Sequence, residues 1–242
     1  MNRILLIETA TDVCSAAIAE GDRIISSGHI SEPRSQASGL APMIQDVLSR
    51  AGMHAGELSA VAVSAGPGSY TGLRVGVSTA KGICFGAGIP LIGIGTLTVI
   101  AQGVIRTGAC TAGEDCAIIP MIDARRMEVY TAVYDSYGHQ ATDTSAVVLE
   151  PDTFASELQK YGKLIFAGDG AAKYRDMIPE KHIGRCVFVP SHPQAEDMAE
   201  AAFSAWQEKR FEDTAYFEPF YLKEFIAADP SRKMEAVLHP GK

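Results

Sequence analysis

Apolar and polar positions along this 242-residue chain follow a pattern that occurs twice. Short apolar runs at Ile4–Glu8, Cys14–Ala19 and Arg23–Ser27 predict three successive strands, with Gly21-Asp22 as the turn between the last two. Over Gln36–Arg50 the apolar residues Leu40, Met43, Ile44, Val47 and Leu48 fall at helical spacing. A strand over Leu58–Ser64 then runs into the glycine-rich turn Ala65-Gly66-Pro67-Gly68-Ser69-Tyr70-Thr71-Gly72-Leu73-Arg74, and a helix from about Thr71 reaches Ala87. A strand Leu91–Ile94 and a helix Leu97–Ile105 close the first half at a loop, Thr107–Gly113.

The second half reads the same way. Ala117–Asp123 and Glu128–Asp135 are β-rich, and Ala146–Leu149 supplies a third strand. Pro151 marks a helix start before Asp152–Tyr161. A strand Leu164–Ala167 enters Gly168-Asp169-Gly170 and a helix through Met177; a strand Cys186–Val189 and a helix Ala195–Lys209 complete the half. Both halves are thus β-β-β-α-β-α, and each opens with a strand ending in a carboxylate, Glu8 or Asp123. Two like-folded α/β lobes are expected: residues 1–106 carrying the interface helices, then 107–225, whose last helix packs back on the first lobe. Residues 226–242 have mixed charge, two prolines and no periodicity, and are expected to be a mobile tail.

The helix after the glycine-rich turn is the oddest element. Leu73, Val77, Ala80 and Cys84 form one stripe that can face a sheet. Val75, Ser78, Gly82 and Phe85 lie away from it, and Arg74 and Lys81 are its charged residues. An uncovered apolar face of that kind marks a binding surface. Gly72, Gly76, Gly82 and Gly86 cost helix propensity, about 1 kcal/mol each relative to alanine, which implies close packing of something against them. A turn at a helix start also suits an anion. The segment therefore advertises either a phosphate site or a protein partner.

Composition narrows the choice. A net charge of −8 argues against a general nucleic-acid or acidic-membrane binder. Five cysteines without a CxxC pair read as reduced thiols of a cytoplasmic protein, and no apolar run reaches membrane length. The turn lacks the GK[ST] ending of a Walker A loop, and Ile89-Pro90-Leu91-Ile92 stands where a dinucleotide site needs an acid. Ser78 falls mid-helix, where no nucleophile elbow sits. The six histidines never pair at ligand spacing, so no metal site is expected. Glu8 and Asp123 could meet across a cleft and hold Mg²⁺, with Arg125 an anion ligand, or each could simply form a turn.

Several ordered motifs together resemble one family. Ile7-Glu8-Thr9-Ala10-Thr11, Gly66 through Gly76, Ala80-Lys81-Gly82, Met121-Ile122-Asp123-Ala124-Arg125-Arg126-x-Glu128-Val129-Tyr130 and the closing Pro219-Phe220-Tyr221-Leu222-Lys223 are similar to the bacterial TsaB (YeaZ) proteins over about residues 3–223. The resemblance implies a two-lobed actin/Hsp70-like ATPase (ribonuclease H-like) fold, each lobe a mixed β-sheet flanked by helices. It implies a non-catalytic subunit supporting the TsaD transferase that forms threonylcarbamoyladenosine beside the anticodon of tRNAs. TsaD and the ATPase TsaE are the implied partners, with a homodimer when alone, tRNA met only through the complex, and neither membrane nor DNA. TsaD holds its metal through paired histidines on its first helix; the matching stretch here, Arg34-Ser35-Gln36-Ala37-Ser38-Gly39-Leu40, has none. Glu8 stands where the family usually has aspartate.

The implied partner interface is Gln36, Leu40, Met43, Arg74, Val75, Ser78, Lys81, Gly82 and Phe85. The implied vestigial nucleotide or anion site is Glu8, Thr9, Gly66, Gly68, Ser69, Asp123 and Arg125. No catalytic residue and no cofactor of the chain alone is expected, with ATP or ADP left open at the partner interface. The competing reading is a nucleotide-dependent, kinase-like enzyme of the same superfamily, or a glycopeptidase.

Overall fold

Ile4, Leu5, Leu6 and Ile7 are apolar without alternation, the pattern of a strand covered on both faces. All four are fully buried in β1 (Arg3–Glu8). The computed structural model describes residues 2–30 and 36–222. β2 (Cys14–Glu20) and β3 (Arg23–Ile30) continue antiparallel from β1. β4 (Ala60–Gly66) pairs parallel to β1, and β5 (Leu91–Gly95) parallel to β4, in the order β3-β2-β1-β4-β5.

The alternation along β1 divides the core. Leu5 and Ile7 face one side, where α1 (Gln36–Arg50) lays down Leu40, Met43 and Val47 and α2 (Tyr70–Ala87) lays down Val77, Ala80 and Cys84. Ile4 and Leu6 face the other side.

The second half builds the same sheet. β6 (Cys116–Asp123), β7 (Glu128–Thr131) and β8 (Ser145–Val148) are antiparallel neighbours. β9 (Lys163–Ala167) and β10 (Cys186–Val189) add parallel strands, giving β10-β9-β6-β7-β8, the first order repeated.

Helices are exchanged between the sheets. α3 (Thr96–Arg106) follows the first sheet, yet its Leu97, Ile100, Ala101 and Val104 pack with Ile118, Ile122 and Ile165 of the second. α6 (Ala199–Gln207) follows the second sheet, yet Ala199, Ala202 and Ala205 pack with Ile4, Leu6 and Ile92 of the first. The amide of Ala195 also donates to Ser15 Oγ at 2.9 Å in the interior. This reciprocal packing ties the two halves into one body.

Most predicted elements are present, and the departures have local causes. Pro151 does not start a helix: residues 151–154 form turns, and α4 (Ala155–Lys160) begins four residues later. Thr153 Oγ1 takes the Glu150 amide at 2.7 Å, and the Asp152 carbonyl takes the Ala155 amide. The helix expected through Met177 shrinks to α5 (Ala172–Arg175), because the amides of Ala171, Lys173, Tyr174 and Met177 bond three residues back. β7 stops at Thr131; Val133 turns its amide to Thr142 Oγ1, and pairing resumes only as an isolated bridge at Tyr134. The helix expected over Ala195–Lys209 opens as a 3₁₀ turn, Ala195–Met198, before α6. The expected tail at 226–242, with Arg34, Ser35 and Lys223, lies outside the described residues.

Candidate functional site

α2 is positioned by its two ends and by one glycine. At the start, Ser69 Oγ accepts the Gly72 amide at 3.3 Å; at the end, Gly88 takes a left-handed φ of 66° and its amide bonds to the Cys84 carbonyl. A Cβ at Gly76 would collide with Thr9 Oγ1 at the end of β1, so only glycine lets the helix lie this close. The sheet-facing residues Leu73, Val77, Ala80 and Cys84 are buried.

The opposite row, Thr71, Arg74, Ser78, Gly82 and Phe85, is exposed. Phe85 is 88% exposed, the most open large apolar side chain described, and a Cβ at Gly82 or Gly86 would meet nothing within 4 Å. Val75 is half-buried and packs on the core, so it contributes an edge of this face, not its centre.

α1 supplies less surface than the sequence suggested. Leu40 (1% exposed) and Met43 (8%) point into the core, which the i, i+3 spacing towards the sheet requires. The exposed positions of α1 include Ala41, Pro42, Gln45 and Ser49. Gln36 opens the helix, and its side chain lies outside the described set.

Lys81 has a different task from the surface role expected of it. Its Nζ donates to the carbonyls of Ala215 and Phe217, both at 3.1 Å. The segment these belong to runs along α2 from a bridge between Glu212 and Leu91 to the Phe220 amide, which donates to the Ala65 carbonyl at 2.7 Å. The Tyr221 ring lies 5.0 Å from that of Tyr70, tilted by 42°, and the Tyr70 ring also lies 4.3 Å beneath the Arg74 guanidinium. Tyr216 is left 84% exposed. The sequence had marked this segment only by its resemblance to a family's ending.

Between the lobes lies a cleft of about 700 Å³. Gly68, Ser69, Asp123 and Arg125 line it, together with Asp12, Asp169, Tyr130 and Tyr221. Glu8, Thr9 and Gly66 are buried away from its walls. The turn that looked like an anion cradle is bonded inward at Ser69, and so is the β1–β2 loop beside it. The Ser69 amide donates to the Ala10 carbonyl at 2.6 Å, the Ala10 amide to Glu8 Oε1 at 2.6 Å, and the Thr9 amide to Ser64 Oγ at 3.3 Å. A Cβ at Gly68 would collide with the Ala10 carbonyl. That glycine therefore serves close backbone packing.

The two strand-end carboxylates do not meet as a metal pair. Glu8 is fully buried, and burial pushes its carboxyl up to about 7 against the pull of the Ala10 amide. Its Oε2 has no hydrogen-bond partner among the described residues. Asp123 Oδ1 is held by Lys173 Nζ and by the Arg125 amide, both at 2.6 Å, while the Asp123 amide donates to Asp169 Oδ1. Burial, with Asp123 beside it, raises Asp169, while Lys173 forms the ion pair with Asp123. Arg125 sits at an exposed hairpin tip in left-handed conformation (φ 67°), beside Arg126 (φ 51°). These groups do not fit Mg²⁺ and nucleotide phosphates held by Glu8 and Asp123. Lys173 was the partner the sequence reading missed; its position just after Gly168-Asp169-Gly170 was the available signal.

Among the described residues, one trio of metal-ligating side chains converges: Cys110, Glu114 and Cys116, none of which lines the cleft. The sequence reading looked for CxxC and paired histidines and passed over C-x₃-E-x-C.

Comparison with known proteins agrees with this architecture. The family model for TsaD, tRNA N6-adenosine threonylcarbamoyltransferase, matches residues 33–230. The tRNA threonylcarbamoyladenosine biosynthesis protein TsaB of Escherichia coli (strain K12) is 33% identical, over 93% of this chain and 96% of its own. The structure of YeaZ from Pseudomonas aeruginosa superimposes with a TM-score of 0.79 at 26% identity, covering 92% of this chain and all of that one. The activator of 2-hydroxyisocaproyl-CoA dehydratase from Clostridium difficile shares the fold alone, with a TM-score of 0.50 at 13% identity. The two-lobed actin/Hsp70-like architecture implied by the sequence motifs is the one observed.

Proposed function

The chain belongs to the TsaB (YeaZ) family, and on that premise we propose that it is a non-catalytic subunit that docks a TsaD-type transferase through the outer face of α2. It takes part in forming threonylcarbamoyladenosine on tRNA. The observation that carries the docking role is the exposed row Arg74, Ser78, Gly82 and Phe85, with open space over two glycines and a phenylalanine 88% in water. Small residues there let a partner helix approach closely, and the aromatic ring supplies an anchor of the kind that concentrates binding energy.

Three features support the absence of catalysis by this chain. Glu8 is buried, the Ser69 amide of the turn is bonded to the Ala10 carbonyl, and Asp123 is neutralised by Lys173. A kinase-like reading needs all three groups free for a nucleotide and its cation. The homodimer and the nucleotide at the partner interface belong to the same proposal: both would use the α2 face. No helix of the described residues is long and apolar enough to cross a membrane.

The direct test is a transferase assay with purified TsaD and TsaE, with and without this chain. Product formation that requires the chain, with none from the chain alone, supports the reading. ATP hydrolysis or phosphoryl transfer by the isolated chain would sink it.

A further inference from the structure

Cys110 and Cys116 bracket the loop that leads out of α3 into β6, the connection between the two sheets. Both are buried, at 1% and 2% exposure, whereas residues 111–115 between them are exposed. Their sulfurs lie 2.6 Å apart. The third member of the trio, Glu114, is already engaged: its carboxylate forms an ion pair with Lys163 and accepts the Thr111 amide at 3.1 Å. Two thiolates on one tetrahedral zinc, each about 2.3 Å from the metal, would stand about 3.8 Å apart, and a structural site needs four donors. The pair is too close and too poorly supplied with further ligands for a metal.

We propose that Cys110 and Cys116 are a modification site, a dithiol that closes to a reversible disulfide and staples the connection between the lobes. The reaction is thiol–disulfide exchange with a low-molecular-weight disulfide. One cysteine thiolate attacks the oxidant and releases one small thiol; the second cysteine attacks the mixed disulfide and releases the other. One S–S bond forms in the protein and one breaks in the oxidant, with both cysteine protons ending on the released thiols. The exposed loop gives the oxidant its way in. Burial, with Cys110 adjacent, pushes the Cys116 thiol up to about 12, so thiolate is scarce and closure is slow. That makes the pair a staple set by prolonged oxidation. The remaining thiols have no such neighbour: Cys14 and Cys84 are buried in the first lobe's core, and Cys186 is half-buried in β10.

The test uses the whole chain. Purified reduced protein is incubated with oxidised glutathione, denatured, alkylated and mapped by mass spectrometry. The expected result is a peptide joining Cys110 to Cys116, lighter by two hydrogens than the dithiol, with Cys14, Cys84 and Cys186 alkylated and the link undone by dithiothreitol. Its thermal midpoint should rise on oxidation in the parent protein and stay fixed in Cys116→Ser. Alkylation of all five thiols after oxidant treatment would overturn the proposal, as would separate glutathione adducts at the two positions. Stoichiometric zinc in the reduced protein, lost in Cys116→Ser, would do so as well.

Discussion

Lys81 Nζ lies 3.1 Å from the carbonyl oxygen of Phe217, and that contact fixes the segment after α6 along the outer edge of α2. A lysine that the sequence offered as a partner contact is thereby committed to its own chain, through a second carbonyl, Ala215, as well. The docking face is left to Arg74, Ser78, Gly82 and Phe85, with Tyr216 exposed on the segment that Lys81 holds.

Replacing Lys81 by alanine should free that segment while leaving the sheet intact. Hydrogen exchange at the Phe220 amide, which bonds to the Ala65 carbonyl, is expected to accelerate. Because Lys81 is half-exposed, its two charge-assisted bonds are worth only about 1 kcal/mol of overall stability. Unchanged exchange at Phe220 would show that the strap holds by its aromatic contacts alone.

Two glycines of α2 should respond with opposite sign. Gly76→Ala forces a Cβ into Thr9 Oγ1 and is expected to cost about 2 kcal/mol. Gly82→Ala meets open space and should gain about 1 kcal/mol of helix propensity. Thermal or denaturant unfolding of the two variants decides it; equal effects would contradict the different surroundings of the two glycines.

Glu8 gives the fold a defined pH dependence. Its value of about 7 in the folded chain lies above the ordinary 4.5, so the fold favours the protonated carboxyl. The stability this confers is fully present below 4.5, falls as pH rises towards about 7, and levels off beyond; the total change is on the order of 3 kcal/mol. Glu8→Gln keeps an acceptor for the Ala10 amide and removes the titration. Urea unfolding between pH 4.5 and 8 should show the slope in the parent protein and a flatter line in the variant.

Arg125 and Arg126 both hold left-handed φ at the tip between β6 and β7, a conformation that costs a non-glycine residue about 1 kcal/mol. Arg126→Gly should therefore stabilise the chain by about that amount in thermal unfolding. A loss of stability instead would show that the Arg126 side chain has an energetic role beyond the turn.

The repeated β-β-β-α-β-α order was readable because strand pairing and helix stripes leave periods of two and 3.6 in the residues. Gln36–Arg50 and Cys186–Val189 were legible to the residue. The cleft was less so. Whether Glu8 faces solvent or core depends on which way β1 delivers its last side chain relative to the loop at Gly68, and that is set by packing between distant segments. Nothing local announces that Lys173 reaches back 50 residues to Asp123, or that the Ala10 carbonyl takes the Ser69 amide. Leu40 and Met43 show the converse: the resemblance placed them in the interface, whereas their helical spacing marks the core stripe that they fill.

The central claim, that the outer face of α2 docks the transferase, rests most directly on a binding measurement with Gly82→Arg and Phe85→Glu. Neither change touches the core, since Gly82 looks into open space and Phe85 stands in water, so both variants should keep the parent's unfolding temperature. Sedimentation velocity of each with TsaD, and of each alone, is the measurement. The expected result is loss of the TsaD complex and of self-association, because burying an unpaired charge at a helix contact costs several kcal/mol, on the order of a thousandfold in Kd. Folded variants that bind TsaD as tightly as the parent would contradict the account.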